Sequence, residues 1–337
     1  MNSLTTSSAA DARIGSGAAF ATVAITVAVV TCILAGWFPL GFSIVAVFLF
    51  AGPHNWMEAR YLLTRMPGRW GALRLYFLTG LVGVFALATA FAVLPVLSNR
   101  LGWDEETWLR GLAIWNTALV LWILVLARMR ERQNPRREWS WLVPAGLLLI
   151  AAAWLWPQPW DLALVYLHPL MAMWFLDREI GTRRREWQAT YRRVVLVVPA
   201  LLVLLWWRLR LQPSLPGEDA LTVRITRHAG AGILAGVSSH LLVSTHLFLE
   251  MLHYGIWLVA IPLISLSNAP WRIEQVPLAR RSTLGRKFVA TVLILGVAAV
   301  VGFWAGFLAN YPLTRDVYFT VALLHVLAEV PFLLRLL

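Results

Sequence analysis

The sequence predicts an all-α, polytopic helical membrane protein with about ten transmembrane helices and both termini cytoplasmic. Three observations carry this. The 337 residues are 59% hydrophobic and only 14% charged, with a mean hydropathy of +0.68, whereas a soluble domain is about 25% charged. That excludes a soluble globular enzyme and a disordered chain. The apolar residues fall in uncharged runs near the length of about 20 needed to cross a bilayer. The arginines gather in the short segments between those runs, dense and sparse by turns, as orientation by positive charge requires.

Residues 1–15, polar and small with Asp11 and Arg13, read as a disordered N-terminal tail, and 16–337 as one transmembrane domain. The first apolar run is too long and too weakly flanked for a cleaved signal peptide and reads as a retained anchor. Ten crossings are expected, at 17–36, 39–60, 72–96, 107–128, 141–156, 160–177, 193–210, 229–266, 288–310 and 315–335. Segments 60–74, 128–137, 178–193 and 272–287 hold four, five, six and five basic residues. With Arg13 and Arg335, one side carries 22 and the other seven, namely Arg100, Arg110, Arg208, Arg210, Arg224, Arg227 and Arg315. The richer side is assigned to the cytoplasm of a bacterial inner membrane. The same rule bears on 229–266, which is 38 residues without Arg or Lys. Two crossings there would put 272–287 outside, so one long, tilted or bent crossing is expected. A broken or re-entrant piece is the alternative.

The net charge of +12 is therefore not a nucleic-acid signal. The basic residues orient the chain, and the partners implied are membrane lipids, with Arg183-Arg184-Arg185 an anionic-lipid contact in second place. A lone cysteine, Cys32, excludes a disulfide framework, a thiolate zinc site and a four-cysteine cluster. Many of the 19 tryptophans, Trp37, Trp141, Trp156, Trp206 and Trp207 among them, fall near predicted helix ends, where interfacial belts form. Nucleophilic triads, phosphate loops and dinucleotide fingerprints have no convincing match.

The informative residues are ionisable side chains inside the runs. Each costs about 2.5–3.5 kcal/mol on insertion scales and marks function by default. The second run carries His54 and Glu58, the sixth His168, the eighth His240, His246, Glu250 and His253, and the tenth His325 and Glu329. At about 100° per residue, Ser239, His246, Glu250 and His253 share a stripe roughly 60° wide, bordered by Tyr254. His240 points elsewhere and reads as structural, and His228 as interfacial. His54–Glu58 and His325–Glu329 are i,i+4 pairs on one face each. Glu250-x-x-His253 has the spacing that di-metal carboxylate bundles use. At about 1.5 Å per residue, His54, His168, His325 and His253 lie roughly 10, 14, 15 and 20 Å from the cytoplasmic helix ends. Four histidines from four helices thus share a layer, with Glu58, Glu250 and Glu329 near it. His246 lies about 10 Å above His253, so one of the two is a direct ligand, or two ions are present.

Imidazoles with carboxylates suit non-haem iron, and the carboxylates can act as ligands or orient the rings. His54, Glu58, His168, His246, Glu250, His253, His325 and Glu329 are the candidate metal residues. Gly52-Pro53 is expected to break the helix just before His54, and Pro169 to bend or free the backbone after His168.

Pro53-His54-x-x-x-Glu58 resembles a motif of the Brp/Blh family of membrane-bound β-carotene oxygenases, Pro-His-Gly-x-x-Asp. Asn55 stands for its glycine and Glu58 for its aspartate. The resemblance implies a multi-helix membrane protein holding non-haem iron through histidines, with His54 and Glu58 carried over directly. His168, His253 and His325 match in kind and location. The family's closely spaced late histidines are replaced here by His246-x-x-x-Glu250-x-x-His253, and this chain has more spans. The function expected is a metal-dependent oxygenase acting on a lipid-soluble substrate, carotenoid-like or acyl. Three alternatives stand beside it. Histidines facing each other at one depth also suit a b-type haem. Glu58, Glu250, Glu329 and a broken second helix suit a proton-coupled transporter. Helix-to-helix hydrogen bonds suit a structural subunit of a membrane complex.

Overall fold

The computed structural model describes residues 17–134, 138–265 and 273–336. The tail predicted at 1–15 lies outside the described residues, as do Arg136, Arg137 and Arg272. All regular structure among the described residues is helical: α1 (Gly17–Trp37), α2 (Pro39–Arg65), α3 (Arg74–Leu101), α4 (Glu105–Gln133), α5 (Leu142–Leu155), α6 (Pro157–Arg183), α7 (Gln188–Val195), α8 (Val197–Leu209), α9 (Ala220–His228), α10 (Ser239–Gly255), α11 (Ile261–Ser265), α12 (Pro277–Arg281), α13 (Thr283–Ala309) and α14 (Tyr311–Leu336).

Eight of the helical stretches are long and apolar enough to cross a membrane. The ten predicted runs reduce to eight for two reasons. α5 is apolar but only 14 residues long, about 21 Å at 1.5 Å per residue, short of a hydrocarbon core of about 30 Å. α6 is long enough, but Asp161, His168, Asp177, Arg178 and Glu179 dilute its apolar character. The predicted run 229–266 contributes one crossing, Ser239–Ser265. Its first ten residues are turns, entered through Gly230, whose φ of +98° suits glycine.

Local chemistry sets the boundaries. Proline at the first helical position opens α2 and α6, separating them from α1 and α5. Gly102, at φ +61°, ends α3 in the left-handed conformation. Asp104 then caps α4 by accepting from the Thr107 backbone N–H at 2.9 Å, with Glu105 and Glu106 in the positive first turn. These Thr107 hydrogen bonds hold the Asp104 carboxyl below its ordinary range. The cap is therefore intact at neutral pH and is lost as pH falls through that lowered value.

The outer faces are apolar. On α13, Leu284, Ile294 and Leu295 are more than 60% exposed, which suits a lipid-facing surface rather than a watery one. The chain is thus a membrane-embedded helical protein. Its buried centre is α10 with α11, 56% buried across its apolar window against 11% for α13. α10 packs on α1, α2, α6, α8 and α9, and Tyr61, Phe175 and Trp257 join α2, α6 and the segment after α10. Trp37, Trp141, Trp156, Trp206 and Trp207 are exposed, as interfacial side chains are. Other tryptophans bolt helices together: Trp115 Nε1 donates to the Leu87 carbonyl at 2.9 Å and Trp56 Nε1 to that of Leu293 at 3.1 Å. Asn116 does similar work, donating to Asp161 at 2.8 Å and accepting from Trp160 at 3.0 Å.

Asp177-Arg178-Glu179, at the C-terminal end of α6, looks from sequence alone like a solvated terminus, but the fold ties it in. Glu179 is buried, accepts the Tyr61 hydroxyl at 2.7 Å and pairs with Arg65. Asp177 binds Arg192 through two nitrogens, at 2.9 and 3.0 Å. The partners come from α2 and α7, remote in sequence. Glu179→Ala would leave Tyr61 and Arg65 without their acceptor. Breaking a buried pair costs about 3–5 kcal/mol, and Arg65 is part-exposed, so a loss of about 3 kcal/mol is expected. Denaturant unfolding in detergent reads it; a loss under about 1 kcal/mol, the worth of an exposed pair, would contradict the burial.

Candidate metal centre

Four histidines converge where α2, α6, α10 and α14 meet. The ring centroids form a four-membered array: His54–His253 5.2 Å, His253–His168 4.5 Å, His168–His325 5.1 Å and His325–His54 5.1 Å, with His253 and His325 6.1 Å apart across it. One nitrogen from each of His54, His253 and His325 lies within 4.8 Å of the others. His168 Nε2 is 3.2 Å from His325 Nε2. Nitrogens bound to one ion at about 2.0–2.1 Å lie roughly 3.0–3.4 Å apart when adjacent and about 4.2 Å when opposed. The His168–His325 pair already has ligand spacing. The triad lies within a looser limit, 4.8 Å, so binding one ion requires its rings to draw together to the adjacent-ligand spacing.

The sequence builds this locally. His54 Nδ1 lies 3.0 Å from the Phe50 carbonyl, one turn back on α2. A carbonyl only accepts, so Nδ1 carries the proton and Nε2 keeps its lone pair. The expected break at Pro53 does not occur, and α2 runs unbroken from Pro39 to Arg65. The carbonyls of the preceding turn gain partners elsewhere: Trp304 Nε1 donates to Phe48 at 2.8 Å, and the Tyr318 hydroxyl to Ala51 at 3.3 Å. The carbonyl that Pro53 itself leaves without a helical donor is that of Leu49, so these bonds brace the helix beside the proline against α13 and α14 rather than replace the bond it removes. Pro169 is likewise accommodated inside a continuous α6. After His253, the chain takes a π-helical turn over Ile256–Ala260, directly before Pro262, which has no N–H to donate to the Leu258 carbonyl.

Two carboxylates back the imidazoles. Glu329 Oε2 lies 3.5 Å from His168 Nδ1, the side from which a carboxylate orients a metal-bound ring. Glu58 and Glu329 are both fully buried and feel each other's charge. Among the described residues, neither oxygen of Glu58 and neither nitrogen of His253 has a hydrogen-bond partner. Buried like charges with orphaned polar atoms are costly without a cation or shared protons between them. A divalent cation would bring two carboxylates and four neutral imidazoles to zero net charge. The donor set therefore fits a hard-to-borderline transition metal.

The eight candidate residues divide. His54, His168, His253 and His325, with Glu58 and Glu329, form the group above. His246 and Glu250 do not join it, because seven residues of helix separate His246 from His253. Glu250 accepts the Tyr254 hydroxyl at 2.6 Å instead, and His246 Nδ1 lies 3.8 Å from it. The Glu250-x-x-His253 spacing is thus not used to place two ligands on one ion. His240 turns away and its Nε2 hydrogen-bonds the Gly36 carbonyl of α1 at 3.0 Å. Sequence reading missed His228, which meets His246 edge to face at 5.0 Å rather than facing an interface. It also missed Arg315, counted as a loop charge but only 4% exposed. Arg315 opens α14 four residues before Phe319, whose ring its guanidinium covers at 4.5 Å, and that spacing was the one available signal.

The four histidines at one end and His228, His246 and Glu250 at the other line one cavity of about 500 Å³, walled between them by apolar side chains of α3, α4, α6 and α14. Compared with protein-family models, curated proteins and solved structures, the chain matches none.

Proposed function

We propose that the protein is an integral membrane metalloenzyme, a non-haem iron oxygenase acting on a lipid-soluble substrate, carotenoid-like or acyl, at the four-histidine centre. The observation that carries this is the gathering of His54, His253 and His325 within ligand distance of one another, with His168 against His325, from four helices, backed by two carboxylates, in the wall of an apolar cavity. Cavities of this size and lining hold small apolar ligands. The resemblance of Pro53-His54-x-x-x-Glu58 to the Brp/Blh pattern points the same way. Iron bound there would supply the activation of dioxygen. The chain's own residues hold the neutral imidazoles in the right tautomer through Phe50 and Glu329, offset the cation's charge through Glu58 and Glu329, and keep water out.

The crowding of the four rings favours a single ion over a macrocycle between two of them. The unbroken α2 removes the feature that suggested a transport path. We also read α5 and α6 as the ninth and tenth crossings, with both termini in the cytoplasm of a bacterial inner membrane. That arrangement keeps the basic segments on one side.

The test is oxygen uptake by iron-loaded protein in nanodiscs given a conjugated polyene. Oxygen consumption matched by loss of polyene absorbance, and absent in His325→Ala, is expected. Iron-loaded protein that consumes no oxygen with polyene or unsaturated acyl probes would contradict the reading.

A further inference from the structure

The cavity has a second polar end, distinct from the metal centre. There the His228 ring from the end of α9 meets the His246 ring of α10, centroids 5.0 Å apart, and both face the cavity. No hydrogen bond holds either ring among the described residues, since Glu250 lies 3.8 Å from His246 Nδ1. Glu250 is occupied by Tyr254. Behind this end Arg315 is buried, its guanidinium 4.5 Å over the Phe319 ring. Between the two ends the walls are apolar, with Phe91, Trp115, Leu119, Leu164 and Leu323 prominent.

A purely hydrocarbon ligand would leave both imidazoles facing a dry cavity without partners, which is unfavourable. An ionised head group would carry a full charge into the same apolar, buried cavity, and that is costlier still. An uncharged oxygen meets both conditions, since a neutral imidazole offers one donor and one acceptor.

We propose that His228 and His246 form a docking point for the hydroxyl or carbonyl terminus of an otherwise apolar, chain-like substrate. The chain lies along the cavity toward His253. His246 and His253 are seven residues apart on one helix, about 10 Å along its axis. A substrate held at His228–His246 therefore presents to the other end an atom about 10 Å from its polar terminus, which fixes where it is attacked. The docking point stands on its own geometry; its part in fixing the position of attack rests on the iron reading above.

The test uses three fluorescent conjugated polyenes of equal chain length, differing only at one terminus: an alcohol, a hydrocarbon and a carboxylate. Protein in nanodiscs is expected to bind the alcohol about 10-fold more tightly than the hydrocarbon, equivalent to about 1.4 kcal/mol, and more tightly than the carboxylate. His228→Phe and His246→Phe keep ring shape without the nitrogens and are expected to reduce the preference to about twofold or less, about 0.4 kcal/mol, with metal content retained. His246→Gln, which keeps a donor and an acceptor, is expected to preserve it. Equal wild-type affinity for alcohol and hydrocarbon overturns the inference, as does a preference for the carboxylate, and neither result depends on a variant folding. Metal content measured on the same samples separates the two readings. An alcohol preference without metal supports the docking point and removes the iron centre; metal without the preference does the reverse.

Discussion

His253→Ala is expected to be purified folded and without metal, its affinity reduced by more than about 100-fold, the upper end of what losing a supporting residue costs. His253 is central to the four-ring array, 4.5 Å from His168 and 5.2 Å from His54, and both its nitrogens lack protein partners. A ring with no hydrogen bond to lose contributes little to packing beyond its volume, so the damage should fall on metal binding rather than on folding. His240→Ala is the matched control. It removes a histidine of the same helix whose ring, among the described residues, hydrogen-bonds the Gly36 carbonyl, and should cost about 1 kcal/mol of stability with metal content unchanged. Elemental analysis and thermal unfolding of both variants decide the matter. Equal metal content in the two would show that His253 is not a ligand.

Glu329→Gln is expected to separate stability from metal binding. The carboxylate sits 3.5 Å from His168 Nδ1 and beside Glu58, fully buried. Loss of an orienting carboxylate costs about 10–100-fold in metal affinity. Without metal, the same substitution relieves the clash of two buried carboxylates, and metal-free protein should gain about 1–2 kcal/mol. Wild-type protein should in turn be stabilised by its ion, by about 2.7 kcal/mol when free metal exceeds the dissociation constant 100-fold. Opposite shifts in the metal-free and metal-loaded unfolding temperatures are the signature. A Glu329→Gln protein destabilised equally in both states would mean that the carboxylate acts only in packing.

The helical membrane class was legible because lipid forces length and apolarity onto every crossing. The four-histidine layer was legible for the same reason: depth follows from counting residues along straight helices, and His54, His168, His253 and His325 do meet. What lay beyond reach depended on partners distant in sequence. Glu179 reads as a solvated terminus until Tyr61, 118 positions away, is seen to donate to it. Pro53 reads as a break, yet α2 runs through it, braced beside the proline by Trp304 and Tyr318 from helices remote in sequence. His228 looked like an edge residue because it falls just before the predicted crossing 229–266, whereas the turns over 229–238 and the short α9 set it against His246. The separation of His246 from His253 was visible in the helical rise, but the cavity joining the two ends was not.

Four imidazoles backed by two carboxylates are expected to hold one ion. The most direct test of this is iron content and the visible spectrum of protein purified without air. One iron per chain, no Soret band, and loss of the iron in His54→Ala, His253→Ala and His325→Ala are the predicted result. An intense Soret band, or a folded protein that takes up no transition metal at all, would contradict it.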